Sequence, residues 1–550
     1  MICTLAAIVA VGLDWGLPST RSDRYLFGTS AWTGSEIATL SGDRASGAAA
    51  DVDRNPVVPG DAPVVLNATD ADRAAILRRY RLYSHQPDEM ITFMSLADMK
   101  PGEWQFDPKL YQYGGLWIYP VGAMLKTAST LGLIDVRSDK AFYYDHPEAF
   151  ARFYVVARLY ALLWYIVAMG CAAAIAKRLT GDDIIAVIAA ATVGVLPVAF
   201  AMAHEAKPHI VGTALTLAAV LAAEKWVRTG RWRDAILAGA LVGAAAGAVL
   251  TAVTAIVLLP VMALLRREAV GRRFGAAIVS IAVAAVVYAV TNPYVVLHAI
   301  RGDAVLGGNL SNTKAMYGIG NVGGAFLDAG ERLLDALSWP LLAVAVVALI
   351  VFLFRRRWPS PMGWLLTAIS LITLIPFALF ADGKPAEYAR FALLPATAIS
   401  VLCVWAIGVS IARPWLRLTF AAALPIAVFL AGTLPYFRAF ANDTEASATD
   451  TRQLAADPLD RFASSSFGAT LQVFADPAPY CLPPVDFSNW RVVLTRPDAP
   501  LIGAAIIRPI DYPDHLPPVP AGYARQVIGL SDRPAPITWA NKPFEILTRQ

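Results

Sequence analysis

The sequence predicts an α-helical polytopic membrane protein of about eleven transmembrane helices, followed by a small α/β domain outside the cytoplasm. Three observations predict this. Hydrophobic residues make up 57% of the 550-residue chain and charged residues 16%, with a mean hydropathy of +0.52, whereas soluble proteins carry about 25% charged residues. Apolar runs recur from residue 157 to 436, with basic clusters between alternate runs. After 437 the hydropathy falls and prolines multiply. The net charge of +4 is small, and no basic domain or nucleic-acid reader motif is present.

Residues 1–17 (MICTLAAIVAVGLDWGL) are apolar, without a basic segment before them or a small-residue cleavage site. They read as the first transmembrane helix, with a cleaved signal peptide as the alternative. Residues 18–156 are mostly polar. Within them, 41–72 is rich in Ala, Gly, Asp and Pro and reads as a loose insert. Arg73, Arg78, Arg79 and Arg81 mark a short surface helix over 72–82. The stretch 113–134 opens with an apolar, aromatic segment holding Trp117, Tyr119 and Pro120. It suits either a span or a segment at the interface.

The later apolar runs lie at roughly 157–176, 184–203, 210–224, 235–250, 252–265, 274–291, 339–354, 362–380, 391–412 and 418–436. Between alternate runs sit Lys177-Arg178, then Lys225, Arg228, Arg231 and Arg233, then Arg266, Arg267, Arg272 and Arg273, then Arg355-Arg356-Arg357, and finally Arg413 and Arg417. The positive-inside rule puts these clusters in the cytoplasm. The loops 18–156, 204–209, 292–338 and 381–390, and the tail after 437, then share the exoplasmic face. The parity holds if 1–17 spans and 113–134 does not cross. The division expected is a membrane domain over 1–436, including the loop 18–156, and a C-terminal α/β domain over 437–550.

Residues 322–337 place apolar residues at helical spacing with charges between them, which predicts an amphipathic interfacial helix. In the tail, Leu471–Phe474, Trp490–Leu494, Leu501–Ile507 and Phe544–Leu547 read as strands, with a helical signal at about 450–463. Cys3, Cys171 and Cys403 fall in apolar segments as small core residues, and Cys481 stands alone in a polar region. No disulfide framework or CxxC site is available.

The chemistry centres on Tyr83-Ser84-His85-Gln86-Pro87-Asp88-Glu89. Pro87 pushes Gln86 out of helical geometry and opens a helix. Adjacent carboxylates at such a start cannot point the same way, so one is free to face a cavity while the other caps. A carboxylate at a helix N-terminus is stabilised as the anion, which suits a base. A surface helix opening is the plain alternative. His204, Glu205, Lys207 and His209 form a short loop between two apolar runs, and Lys384, Tyr388 and Arg390 stand at the start of a later one. Cations there serve as interfacial anchors or as phosphate ligands, and Arg390 is the better phosphate candidate because guanidinium grips phosphate bidentately. Asn292 and Tyr294 are weaker candidates, since Asn-Pro also simply ends a helix. Carboxylates with imidazoles (His85, Asp88, Glu89, His204, Glu205, His209) are able to hold a divalent ion, but their spacing does not demand one.

In order, Asp88-Glu89, the stretch Trp104–Leu116, Arg158-Leu159-Tyr160, Ala203–His209, Thr291-Asn292-Pro293-Tyr294 and Glu387–Pro395 resemble the GT-C superfamily of membrane glycosyltransferases. The similarity is greatest to its family 39-like members, which include protein O-mannosyltransferases and lipid A aminoarabinose transferases. It runs over roughly 1–436. It implies transfer of a sugar from a polyprenyl-phosphate-linked donor to a lipid, glycan or protein acceptor, on the exoplasmic side of a bacterial plasma membrane. It places Asp88 as the catalytic base and Glu89 as the second acid of the motif. It also implies a basic residue near the donor phosphate, matched by Arg390. The family often has an Asp where His209 stands, and Glu205 is the candidate to supply that acid. A second departure is the long separation between residues 1–17 and Asp88, which leaves Asp23 as another candidate acid. The alternative function is a transporter or flippase of a lipid-linked glycan. No internal repeat supports it. A non-catalytic assembly subunit is a third reading.

Overall fold

The computed structural model describes residues 2–27, 30–42, 63–302, 304–316, 318–355, 360–442, 450–463, 468–474, 482–495, 499–510, 518–519, 521–529 and 543–550. Most of the expected insert at 41–72, together with Arg356, Arg357 and Cys481, lies outside the described residues. The chain divides into two compact units. One holds Met1–Leu13, Ile91–Met124 and Ala157–Arg438; the other holds Asp14–Met90, Leu125–Val156 and Ala439–Gln550.

The first unit is helical. Among the described residues, six helices are long and apolar enough to cross a membrane: Pro147–Thr180, His209–Thr229, Val270–Thr291, Pro361–Leu379, Ala386–Ser410 and Pro414–Asn442. Two bent pairs, Asp183–Gly194 with Pro197–Ala203 and Val322–Leu337 with Trp339–Ile350, raise the count to 8 if each is one span. The first pair turns by 66° where Pro197 removes a backbone donor. The second turns by 109° at Ser338, whose φ is +65°.

The difference from about eleven spans lies in three runs. The expected first span over 1–17 is a helix of 9 residues, Ile2–Ala10. Trp232–Ala248 has 17 residues, about 25 Å of helix against a hydrocarbon core of about 30 Å. The run at 252–265 is split, with a 3₁₀ stretch at Leu250–Val257 leading into Leu258–Leu265. Residues Gly115–Thr130 form a helix of 16 residues around Pro120, shorter than the spans.

Small residues set the spacing of the bundle. Gly239, Gly243 and Gly247 repeat every four residues along Trp232–Ala248 and lie against Ser280, Ala284 and Thr291. A Cβ at Gly243 would stand 2.3 Å from the Ala284 carbonyl oxygen. Close backbone approach of this kind is how membrane helices gain dispersion contact where lipid offers no hydrophobic drive. The amphipathic helix forms as Val322–Leu337, capped by the Asn321 side chain on Gly323 N at 3.1 Å.

The second unit is built on a sheet. Its strands are β1 (Val64–Val65), β2 (Ala469–Phe474), β3 (Trp490–Thr495), β4 (Ala505–Pro509), β5 (Tyr523–Ile528) and β6 (Phe544–Arg549), in the order β1-β3-β2-β4-β6-β5. The central pairings β3-β2 and β2-β4 are parallel, and the outer ones antiparallel. β2 and β3 are rich in branched and aromatic residues, as strands with a buried centre are. Ile37, Ile76, Tyr80 and Leu459, from three helices, pack with Leu471, Val473, Val492 and Leu494 of the sheet. The loop expected to belong with the membrane helices thus contributes a strand here. Val64 pairs with Leu494 and Val65 with Val493, and Asn67 Oδ1 accepts from Val492 N at 2.9 Å. The expected surface helix at 72–82 is Asp70–Leu82, and it is largely buried, Arg79 and Arg81 included. Arg81 is satisfied by the Tyr144 carbonyl at 3.0 Å and by Asp23 at 3.0 Å.

Candidate active site

The acidic turn belongs to the sheet-bearing unit. Helix Asp70–Leu82 stops at Tyr83, whose extended backbone breaks the helical run. Gln86 is extended (φ −93°, ψ 101°), and Pro87 opens a 3₁₀ turn, Pro87–Glu89, as proline's fixed φ requires. The two carboxylates part. Glu89 is fully buried and accepts from Ser84 Oγ at 2.6 Å. Asp88 is half-buried, its backbone N–H lying 3.4 Å from Gln86 Oε1. His85 is buried, with Nε2 3.2 Å from Asp450 Oδ2, and its backbone N–H donates to Gly16 O at 2.7 Å. Gly16 takes φ +58°, and a Cβ there would stand 2.7 Å from His85 Cβ. Asp23, the other candidate acid, pairs with Arg81. Burial pushes its pKa up to about 6 although the Arg81 charge opposes this.

The helical unit brings Glu205, Lys207 and Arg390 into one buried cluster, completed by Glu387. Lys207 has no exposed surface and lies 2.5 Å from Glu387 Oε1 and 3.1 Å from Glu205 Oε2. Arg390 pairs with the same Glu387 oxygen and stacks its guanidinium over Phe391, 4.9 Å from the ring centre. Two carboxylates and two cations make the cluster neutral, which is how charges are carried at low dielectric. His209, at the start of His209–Thr229, meets Phe391 edge-on at 5.4 Å. Tyr388 stacks on Phe377 and donates to the Phe377 carbonyl at 3.0 Å. Lys384 is half-buried, and desolvation lowers its pKa. His204 faces two backbone carbonyls, Phe200 O at 2.9 Å and Val11 O at 3.1 Å. The turn that follows the helix Ile2–Ala10 is held from a second side by Arg158, which donates to Leu13 O at 2.7 Å.

The motif around Trp104–Leu116 docks within the same helical unit on the motif at 291–294. Gly115 N donates to Asn292 Oδ1 at 2.9 Å and Gly114 N to Ala248 O at 2.9 Å. A Cβ at Gly115 would fall 1.9 Å from Thr291 O. Phe106 N donates to the Tyr294 hydroxyl at 3.3 Å. Asp107 holds His298 Nε2 at 2.8 Å and accepts from Tyr111 at 2.7 Å. Burial raises the Asp107 pKa, but its hydrogen bonds to His298 and Tyr111 outweigh that and leave it lowered.

Glu387, Asp450 and the Asp107–His298 pair were not among the sequence candidates. Glu387 had a usable signal, since it stands one turn before Arg390. Asp450 had none, because its partner His85 is 365 residues away. Among the described residues no group of three or more His, Cys, Asp or Glu is placed to hold a metal ion.

Residues 151–296 match the family described as dolichyl-phosphate-mannose-protein mannosyltransferase. No curated protein matches the chain. Among solved structures, ArnT from Cupriavidus metallidurans bound to undecaprenyl phosphate is similar at 14% identity, over 67% of this chain and 73% of that one, with a TM-score of 0.42. The oligosaccharyltransferase AglB from Archaeoglobus fulgidus, in complex with an inhibitory peptide and a dolichol-phosphate, is similar at 14% identity, over 89% of this chain and 64% of that one, with a TM-score of 0.41. The family likeness therefore lies on residues 151–296 of the chain.

Proposed function

We propose that this protein is a membrane glycosyltransferase that moves a sugar from a polyprenyl-phosphate carrier to a lipid, glycan or protein acceptor at the exoplasmic face. The observation that carries the reading is the family match over residues 151–296. Asp88 acts as general base. Its carboxylate takes the proton of the acceptor hydroxyl as that oxygen bonds to the anomeric carbon. The bond from that carbon to the carrier phosphate breaks, its electron pair leaves on the phosphate, and the anomeric centre inverts. A positioned base contributes roughly 10²–10⁴ in rate. The division of the acidic turn supports this role, because Glu89 is engaged by Ser84 in the interior while Asp88 is half-buried. Arg390 receives the phosphate, and Lys207 holds Glu387 and Glu205 so that the guanidinium stays oriented. Preorganised cations act where leaving-group charge develops. Lys384 and Tyr388 precede Arg390 and are secondary candidates.

The test compares envelope lipids and glycans by mass spectrometry with and without the gene. A transferase predicts one sugar-bearing product missing from the deletion strain and accumulation of its lipid-linked donor. Purified protein in liposomes separates the alternative, since a flippase moves a lipid-linked glycan across the bilayer without breaking its sugar–phosphate bond. Movement without cleavage would replace the enzyme reading.

A further inference from the structure

Within the sheet-bearing unit, the stretch 83–86 has no regular structure to hold it, yet it carries the turn at Asp88. Side chains and backbone groups from several elements hold it, and Ser84 Oγ also bonds Gln86 O at 2.9 Å within it. Tyr154 Oη donates to Leu82 O at 2.8 Å and lies 3.3 Å from Ser84 N. His85 bonds Gly16 by its backbone and Asp450 by its ring. Trp15 meets the imidazole edge-on, with ring centres 6.4 Å apart.

Asp450 begins helix Thr451–Ala463, where Oδ1 caps by accepting from Arg452 N at 3.0 Å. The Arg452 guanidinium closes on both oxygens, Nε to Oδ1 at 3.1 Å and Nη2 to Oδ2 at 3.1 Å. Oδ2 is the oxygen that also meets His85 Nε2. His85, Asp450 and Arg452 are all buried. Burial alone would raise the Asp450 pKa, but Arg452 and His85 together hold it well below the usual carboxylate range. A buried ion pair adds little net stability over an apolar replacement, and its best-attested use is to fix one arrangement among several.

We propose that Asp450 and Arg452 are positioning residues of the transfer reaction, fixing the His85 imidazole and through it the backbone that carries Asp88. The C-terminal segment thereby sets the aim of an acid 362 positions earlier in the chain. The proposal rests on the reading of Asp88 as the base. Its physical ground is that misplacing a reacting group by about 1 Å costs on the order of 10²-fold in rate.

The substitution Asp450→Asn isolates the effect. Asparagine caps helices as well as aspartate does, so the helix start survives while the charge facing His85 and Arg452 is lost. The full-length protein is compared as wild type, Asp450→Asn, His85→Gln, His85→Ala and Asp88→Asn. Sugar transfer is read by mass spectrometry in a deletion strain. Thermal stability and binding of undecaprenyl phosphate, used as the probe, are read on purified protein in detergent. In Asp450→Asn, transfer should fall on the order of 10²-fold with the probe bound as in wild type. His85→Gln, whose amide N–H reaches toward Asp450, should retain more transfer than His85→Ala. Transfer within about threefold of wild type in Asp450→Asn, equal losses in the two His85 variants, or joint loss of folding and probe binding would each overturn the positioning role. Full transfer by Asp88→Asn would instead overturn the base assignment, so the two failures are distinguishable.

Discussion

Replacing Lys207 by Met tests whether the cluster around Glu387 is a closed, neutral unit. Lys207 is wholly buried between Glu387 at 2.5 Å and Glu205 at 3.1 Å. Lys207→Met leaves two carboxylates facing one cation, Arg390, in the interior. Breaking a buried pair in this way costs about 3–5 kcal/mol, a large part of a total stability of roughly 5–15 kcal/mol. Glu387→Gln leaves the opposite imbalance, two cations against Glu205. The double variant returns to one cation and one carboxylate. It should therefore be more stable than Lys207→Met alone, with a coupling of about 2–3 kcal/mol between the two substitutions. Unfolding in mixed detergent micelles, followed by tryptophan fluorescence, reads all four proteins. Additivity within about 0.5 kcal/mol would show that the two charges do not share one network, and the role of Lys207 in orienting Glu387 would fall.

Two further predictions follow from the packing and the titration. Gly243→Ala places a Cβ 2.3 Å from the Ala284 carbonyl and should cost about 1–3 kcal/mol or more by forcing the helices apart. Gly271→Ala, with nothing within 4 Å of the new methyl, should leave the melting point unchanged; equal effects at the two sites would refute the close helix seam. Asp23 titrates near 6 in the folded protein against an ordinary 3.8, because burial outweighs Arg81. The folded state holds the proton more tightly, so the cost of ionising Asp23 is absent below 3.8 and complete above about 6. Asp23→Asn should gain stability relative to wild type as the pH rises through that window. The gain is at most ~1.4 kcal/mol per pH unit, and less because the side chain is 27% exposed. A difference in melting point that is flat with pH would contradict it.

Features written in local pattern were legible in the sequence. The 3.6-residue periodicity of 322–337 became the amphipathic helix Val322–Leu337, and the signal at 450–463 became Thr451–Ala463. Pro87 opened its turn and the two carboxylates parted, although which one faces inward depends on Ser84. What depends on distant partners was not legible. Val64 and Val65 form a strand only because β3 offers an edge about 430 residues later. Arg79 and Arg81 look like surface charges in sequence, and Arg81 is buried because Asp23 and the Tyr144 carbonyl receive it. The expected span count exceeded the long helices because hydropathy does not show where a run breaks into 3₁₀ geometry, as at Leu250–Val257. The spacing of Glu387 before Arg390 is a local signal, but its pairing with Lys207, 180 residues away, is not.

The central claim is that the Asp88 carboxylate removes the proton of the acceptor in a sugar transfer at the membrane. Its most direct test is to complement a deletion strain with wild type or Asp88→Asn and to quantify the missing envelope product by mass spectrometry. Protein levels are matched in membranes. The account predicts that wild type restores the product, while the variant, inserted and folded, lowers it by roughly 10²–10⁴. Restoration of the product by Asp88→Asn at the wild-type rate would contradict it.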